Sequence, residues 1–167
     1  MTGDHGRRLP PAGIDFADLA DHPAAVDRLA RWYHDEWFDI ERLSLPALTA
    51  ELTERLSDPT TGRTFLALAG GTVVGCISLD RSDLPGHEAL GPWLASLYVV
   101  PAWRGRGLGA ALIGRVIDAA AAAGSPALYL WTAGPTRRYE AAGFRRLQGT
   151  LYGTRPITIM RWTPPGG

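Results

Sequence analysis

The run Arg104-Gly105-Arg106-Gly107-Leu108-Gly109 has the residue types to hold a phosphate. Gly105, Gly107 and Gly109 remove three Cβ atoms where a helix should begin, and Arg104 and Arg106 add two full positive charges. A helix N-terminus offers N–H groups without intrahelical partners and a partial positive charge. Bare glycines let a phosphate reach those N–H groups. A lone Gly-x-Gly at a helix entry is more simply a turn. Three alternate glycines with two arginines, set between a strand and a helix, point to a phosphate-bearing ligand.

Two ligand classes fit this loop. Gly105-x-Gly107-x-x-Ala110 satisfies the dinucleotide fingerprint G-x-G-x-x-G/A. That fingerprint puts its first glycine at the strand end and an acid near the end of the next strand. Here Pro101 to Arg104 intervene, and the next strand ends Tyr129-Leu130-Trp131-Thr132, without an acid. The second class fits better. Val99-x-Pro101-x-x-Arg104-Gly105-x-Gly107-Leu108-Gly109 resembles the acetyl-CoA signature of the GCN5-related N-acetyltransferases, with core Arg/Gln-x-x-Gly-x-Gly/Ala. Arg104, Gly107 and Gly109 fill the core. The resemblance implies acetyl-CoA as co-substrate, no metal, and phosphate contacts from Arg104, Gly105, Arg106, Gly107, Leu108, Gly109 and Ala110. It further implies that Leu97, Tyr98 and Val99 hold the pantetheine arm and offer a backbone N–H to the thioester oxygen, a type of contact worth a few kcal/mol.

A second segment, Arg138-Tyr139-Glu140-Ala141-Ala142-Gly143-Phe144, resembles the family's Tyr-Glu-x-x-Gly-Phe motif. The resemblance implies that Tyr139 protonates the leaving thiolate. A phenol near pKa 10 keeps its proton at neutral pH and can donate it as a thiolate departs. The family pattern also has an asparagine about seven residues before this tyrosine. Thr132 stands there, and the chain contains no asparagine.

These residues need elements to hold them. Leu94 to Val100 is apolar, aromatic and β-branched, as in a mostly buried strand, and Pro101 ends it. Leu108, Leu112, Ile113 and Val116, widened by Ile117 and Ala120, form one apolar helix face, with Gly124 as the C′ residue. Upstream, Ile14 to Phe16 reads as a short strand. His22-Pro23 opens a helix with Val26, Leu29, Ala30, Tyr33 and Trp37 on one face. Ser44-Leu45-Pro46 opens another, with Leu45, Leu48, Leu52 and Leu56 on one side, and Asp58-Pro59 stops it. Thr64 to Ala69 and Thr72 to Leu79 flank Gly70-Gly71, a hairpin signal. Asp80 to Gly91 reads as a polar loop. Ala127 to Thr132 is a strand, Thr136 to Ala142 a short helix with Gly143 as C′, and Phe144 to Tyr152 and Arg155 to Trp162 are the last strands. The order β-α-α-β-β-β-α-β-α-β-β predicts an α/β fold, a mixed sheet with helices on both faces. It matches the family's order over residues 12 to 163. Residues 1 to 11 read as a disordered lead-in and 164 to 167 as a tail.

Composition narrows the classes. The chain has 167 residues, the size of one domain, and 46% are hydrophobic. Formal net charge is zero, so no global field argues for nucleic acid or a membrane surface. The single Cys76 allows no internal disulfide and no cysteine-based structural zinc site. In mid-strand it reads as a small buried hydrophobe. No apolar run reaches membrane-spanning length, and the N-terminus has no signal-peptide pattern. We expect a cytoplasmic monomer or homodimer.

The expected activity is transfer of acetyl from acetyl-CoA to a primary amine of a small molecule, by direct attack on the thioester. A non-catalytic acyl-CoA sensor on the same fold is the alternative. Candidate bases by location are His34, Glu36, Asp80, Asp83, His87 and Glu88. Trp32, Tyr33, Trp37, Phe38 and Trp93, beside Glu36, Asp80, Asp83 and Glu88, suit a small cation with an apolar body.

Overall fold

The computed structural model describes residues 9–166, so most of the expected lead-in, residues 1–8, and the final Gly167 lie outside the described residues. Seven strands form one sheet: β1 Ile14–Asp18, β2 Gly62–Ala69, β3 Thr72–Asp80, β4 Trp93–Val99, β5 Leu128–Thr132, β6 Arg145–Tyr152 and β7 Arg155–Trp162. Four α-helices accompany them: α1 Val26–Glu41, α2 Leu45–Ser57, α3 Leu108–Ala122 and α4 Arg137–Ala141. The strand order is β1-β2-β3-β4-β5-β7-β6, and every neighbouring pair is antiparallel except β4–β5. That parallel pair follows from the crossover helix α3, since parallel strands need a long connection. No described helix is long and apolar enough to cross a membrane.

The helices cover both faces, because side chains alternate along a strand. On β2, Phe65 and Ala67 join α3's Leu108, Leu112, Ile113 and Val116 in one core, while Leu66 and Leu68 join α1's Leu29, Ala30 and Tyr33 and α2's Leu48 and Leu52 in the other. Gly75 lets α3 lie close on the sheet: a Cβ there would sit 3.1 Å from the Tyr98 carbonyl oxygen and 3.3 Å from Leu112 Cδ1. The caps follow the sequence signals. Ser44 Oγ accepts from Ala47 N at 3.3 Å to start α2. Gly124, at φ +73°, closes α3, with Ser125 N donating to Ala120 O at 3.0 Å.

Three sequence expectations shift. His22-Pro23 opens a 3-10 turn, Pro23–Ala25, ahead of α1. Leu45 lies 37% exposed at the first position of α2, where no preceding turn covers it. Asp80 is the last residue of β3 rather than the start of a loop, and it is buried.

Candidate functional site

Two regions meet on β4. The first begins where β4 ends. Pro101–Trp103 make a 3-10 turn, and Gly107 stands at the N-cap of α3 with φ +84° and no side-chain cap. Gly105 also has positive φ, +73°. L-residues pay about 1–2 kcal/mol for that conformation, so glycine is the fit at both positions. A Cβ at either would meet open space, so the loop's outer surface is bare. Ala111 N makes the first intrahelical bond of α3, to Gly107 O at 3.1 Å. The N–H groups of Leu108, Gly109 and Ala110 therefore precede the ladder and point out of the helix end.

Charge converges on that end. Arg104 Nε donates to the Val99 carbonyl at 2.8 Å, and its guanidinium lies 5.6 Å from the Tyr98 ring centre. It thus ties the loop to the strand as well as charging it. Arg106 lies 5.0 Å over Trp103. Arg138, on α4, brings Nη1 to 4.0 Å from where a Gly109 Cβ would be. Sequence reading gave Arg138 no role, because it sits 29 positions beyond Gly109 and only the packing of α4 beside α3 brings it near. The loop residues present fit a pyrophosphate: unpaired N–H groups, an open surface and three arginines at one helix end.

β4 links this end to the second region. Its pairing with β3 aligns Cys76 with Tyr98 but Ser78 with Ala95, so Ser96 and Leu97 oppose the single residue Ile77. Ser96 takes φ +55°. This bulge resets the alternation: Leu94, Leu97 and Val99 share the α3 core, whereas Tyr98 faces α1. Tyr98 stacks on Trp32, ring centres 4.8 Å apart. Parallel pairing with β5 is confined to Trp93–Tyr129, so past that point β4 and β5 diverge. The bulged part of β4 keeps backbone groups that a ligand strand could pair.

Tyr139 follows on α4. It is half-buried, packs on the α3-side core and meets Phe144 edge-on at 6.3 Å. Burial raises its phenol above the ordinary value, with Arg138 pulling the other way, so it is a proton donor at neutral pH. Thr132, in the asparagine position, accepts from Gly134 N at 3.1 Å through its hydroxyl and shapes the entry to α4.

The second region is a cavity of about 370 Å³ between the α1–α2 layer, the loop after β3 and the β6–β7 hairpin. Ser96 lines it from the β4 bulge, and its charged walls are Glu41, Glu51, Arg55, Asp80, Asp83 and Glu88. Arg55 and Asp80 form a fork, Nη1 to Oδ1 at 2.7 Å and Nη2 to Oδ2 at 3.0 Å. Arg55 also donates to Thr64 Oγ1 at 3.2 Å, and Thr64 and Ser78 hydroxyls pair at 2.9 Å. Gly62 makes room: a Cβ there would lie 2.6 Å from Asp80 Oδ1. Burial pushes the Asp80 carboxyl up, and Arg55 pulls it back. Asp83 rises well above the ordinary carboxylate range through burial, then through Asp80 and Glu41. Glu41 is pushed up to about 7, first by burial and then by Glu51 and Asp80.

The cavity draws together only part of the expected acceptor set. Tyr33, Asp80, Asp83 and Glu88 line it; His34, Glu36 and His87 do not. Trp93 is fully buried, its indole N–H donating to Leu90 O at 2.9 Å. Trp37 packs edge-on against Tyr33, and Phe38 faces His34. Glu41, Glu51, Arg55 and Tyr152 were missed because they come from a helix end, a second helix and a hairpin. A run of acids at the end of α1, Asp39 and Glu41, was the only sequence hint. Cys76 is buried, its thiol donating to Tyr33 Oη at 3.7 Å and pushed up to about 12 by burial. It is no nucleophile. Among the described residues no three His, Cys, Asp or Glu side chains are grouped to hold a metal ion.

The family model of the acetyltransferase (GNAT) family matches residues 26–144. No curated protein matches the chain in sequence. An aminoglycoside 6′-acetyltransferase type Ii has a similar structure, TM-score 0.70 at 18% identity, over 89% of this chain and 96% of the other. AAC(6′)-Ib, solved with paromomycin and acetyl-CoA, gives TM-score 0.68 at 16% identity, over 90% and 93%. A spermidine N-acetyltransferase chimera from Vibrio cholerae and hSSAT gives 0.65 at 17%, over 91% and 96%. At these identities the likeness is one of fold.

Proposed function

The chain belongs to the acetyltransferase (GNAT) family, and on that premise we propose that it moves the acetyl group of acetyl-CoA onto a primary amine of a small molecule. The observation that carries this reading is the meeting of two unlike regions on one strand. β4 runs into the basic loop, and its bulge residue Ser96 lines the acidic cavity. A phosphate-bearing donor on one side and a cationic acceptor on the other would approach each other at the bulge. Fold relatives whose names include aminoglycoside and spermidine acetyltransferases support an amine acceptor.

In this reading the N–H groups of Leu108, Gly109 and Ala110, with Arg104, Arg106 and Arg138, hold the pyrophosphate. The backbone of Leu97, Tyr98 and Val99 aligns the pantetheine arm. A β4 N–H near the bulge stabilises negative charge on the thioester oxygen. Tyr139 donates its proton to the departing thiolate. The acceptor's ammonium docks among the cavity carboxylates, where Arg55 keeps Asp80 in place. The cavity volume favours a small molecule over a folded protein surface.

The test is a matched competition. Small aryl-alkyl amines, amino sugars and polyamines are set against peptides with free N-termini and lysines, and CoA release is measured. We expect a higher kcat/KM on a small amine. Faster turnover on a peptide overturns the acceptor class. Stabilisation by acetyl-CoA without turnover on any amine would favour the sensor alternative.

A further inference from the structure

We propose that Glu41 is the base that takes the proton from the acceptor's ammonium. This rests on the acetyltransferase reading above. It begins from placement. Glu41 is the last residue of α1, where Arg42 turns left-handed at φ +57° and ends the helix. That turn leaves the Glu41 side chain on the cavity wall, half-buried, with Ser96 of the β4 bulge lining the same cavity.

The other carboxylates of the cavity are engaged or exposed. Asp80 is buried in the Arg55 fork. Glu88 is exposed and accepts from Gly86 N at 2.8 Å, which lowers its carboxyl. Glu51 is exposed on α2. Glu41 and Asp83 remain, each half-buried in this wall and each raised, first by burial and then by neighbouring negative charge. Tyr152 faces them from β6, its phenol raised by burial and by Glu41, Asp83 and Glu51. Tyr33, Arg55 and Asp80 complete the charged and titratable surroundings. A carboxyl moved from 4.5 to about 7 takes a proton from an ammonium about 300-fold more favourably than an ordinary glutamate.

The proton count closes. The ammonium passes one proton to Glu41, and the neutral nitrogen attacks the thioester carbon. As the N–C bond forms and the C–S bond breaks, the thiolate takes a proton from Tyr139. The second proton on nitrogen replaces it. Glu41 then releases its proton to solvent, so one amide, one thiol and one proton result.

The experiment has two readouts. The first is kcat/KM against pH for wild type, Glu41→Gln, Glu41→Asp and Asp83→Asn, using the amine of the panel that turns over fastest. Wild type should rise tenfold per pH unit below about 7 and then level. Glu41→Gln should fall about 100-fold at pH 7.5 and climb with pH toward the amine's own ionisation. Glu41→Asp should recover part of the loss, and Asp83→Asn should leave the limb in place, because the charges that raise Glu41 are Glu51 and Asp80. The second readout is a carbon NMR titration of the side-chain carboxyls without ligand. The Glu41 carboxyl should titrate near pH 7 in wild type, and its signal should disappear in Glu41→Gln. A Glu41→Gln enzyme within threefold of wild type with an unchanged pH limb overturns the proposal. So does a titration placing the Glu41 carboxyl below pH 5. A wild-type protein inactive on every amine defeats the acetyltransferase reading instead, and the titration still decides the state of Glu41.

Discussion

The two halves of the site are built in opposite ways. The basic loop is made of backbone: consecutive residues, two left-handed glycines and one helix end, with arginines at the rim. The cavity is made of side chains from α1, α2, β3, β4, the following loop and β6, and its polarity is acidic. The loop's chemistry is therefore fixed by local geometry and should tolerate changes elsewhere. The cavity's chemistry depends on burial and on each carboxylate's neighbours, so it should be sensitive to one ion pair at a distance. The contrast teaches where each kind of recognition is vulnerable.

The largest expected effect breaks the cavity half alone. Arg55→Met leaves Asp80 buried without its partner, which costs about 3–5 kcal/mol. Chemical denaturation at pH 7.5 should show that loss. It should shrink as pH falls, because a buried carboxyl can then take up a proton. Acetyl-CoA should still stabilise whatever fraction remains folded. Loss of acetyl-CoA binding in proportion to a cavity defect would mean the two halves are not independent.

Next comes the reverse break. Gly107→Glu puts a carboxylate where phosphate is expected and forces a side chain to φ +84°. At acetyl-CoA near 100-fold above Kd, the parent should gain about 2.7 kcal/mol, and the variant nothing measurable. Gly107→Ala carries the strain without the charge, about 1–2 kcal/mol, and separates the two causes by thermal shift.

Tyr139→Phe sharpens the comparison at the junction. It keeps the ring on Phe144 and removes the proton. Turnover should fall about 100-fold with acetyl-CoA affinity unchanged. Unchanged single-turnover rates would return Tyr139 to packing.

The smallest effect is read in stability rather than rate. Glu41 has a folded-state value of about 7 against 4.5 for the free group. Between these values the folded state binds more protons than the unfolded one, so this group's contribution to stability falls as pH rises. The full shift would amount to about 3 kcal/mol, and solvent screening of a half-buried group brings it nearer 1 kcal/mol. The stability of wild type against denaturant should therefore fall more from pH 5 to 7.5 than that of Glu41→Gln. Equal slopes would count against a raised Glu41.

Much of the molecule was written locally. Periodicity, glycines and prolines gave the element order and the mixed sheet, since apolar spacing reports which face of a helix or strand is buried. The geometry of the loop from Arg104 to Ala110, a glycine-bare helix entry carrying arginines, was legible for the same reason: it is a contiguous stretch. The short helix that carries Tyr139 was legible through Gly143 and Phe144, the first following the helix end and the second packing on the ring.

The acceptor side was not written locally. Trp93 looked available in sequence, and packing with Leu84, Ile157 and Ile159 buried it. Asp80 looked like a loop acid, and Arg55, 25 residues earlier, holds it in the core. Glu41 was not among the acids that the sequence singled out. What set its ionisation was the approach of α2, the end of β3 and the following loop, which removes water and gathers like charges around one carboxyl. A sequence states which groups can ionise. Only packing decides which water they lose and which charges they keep company with.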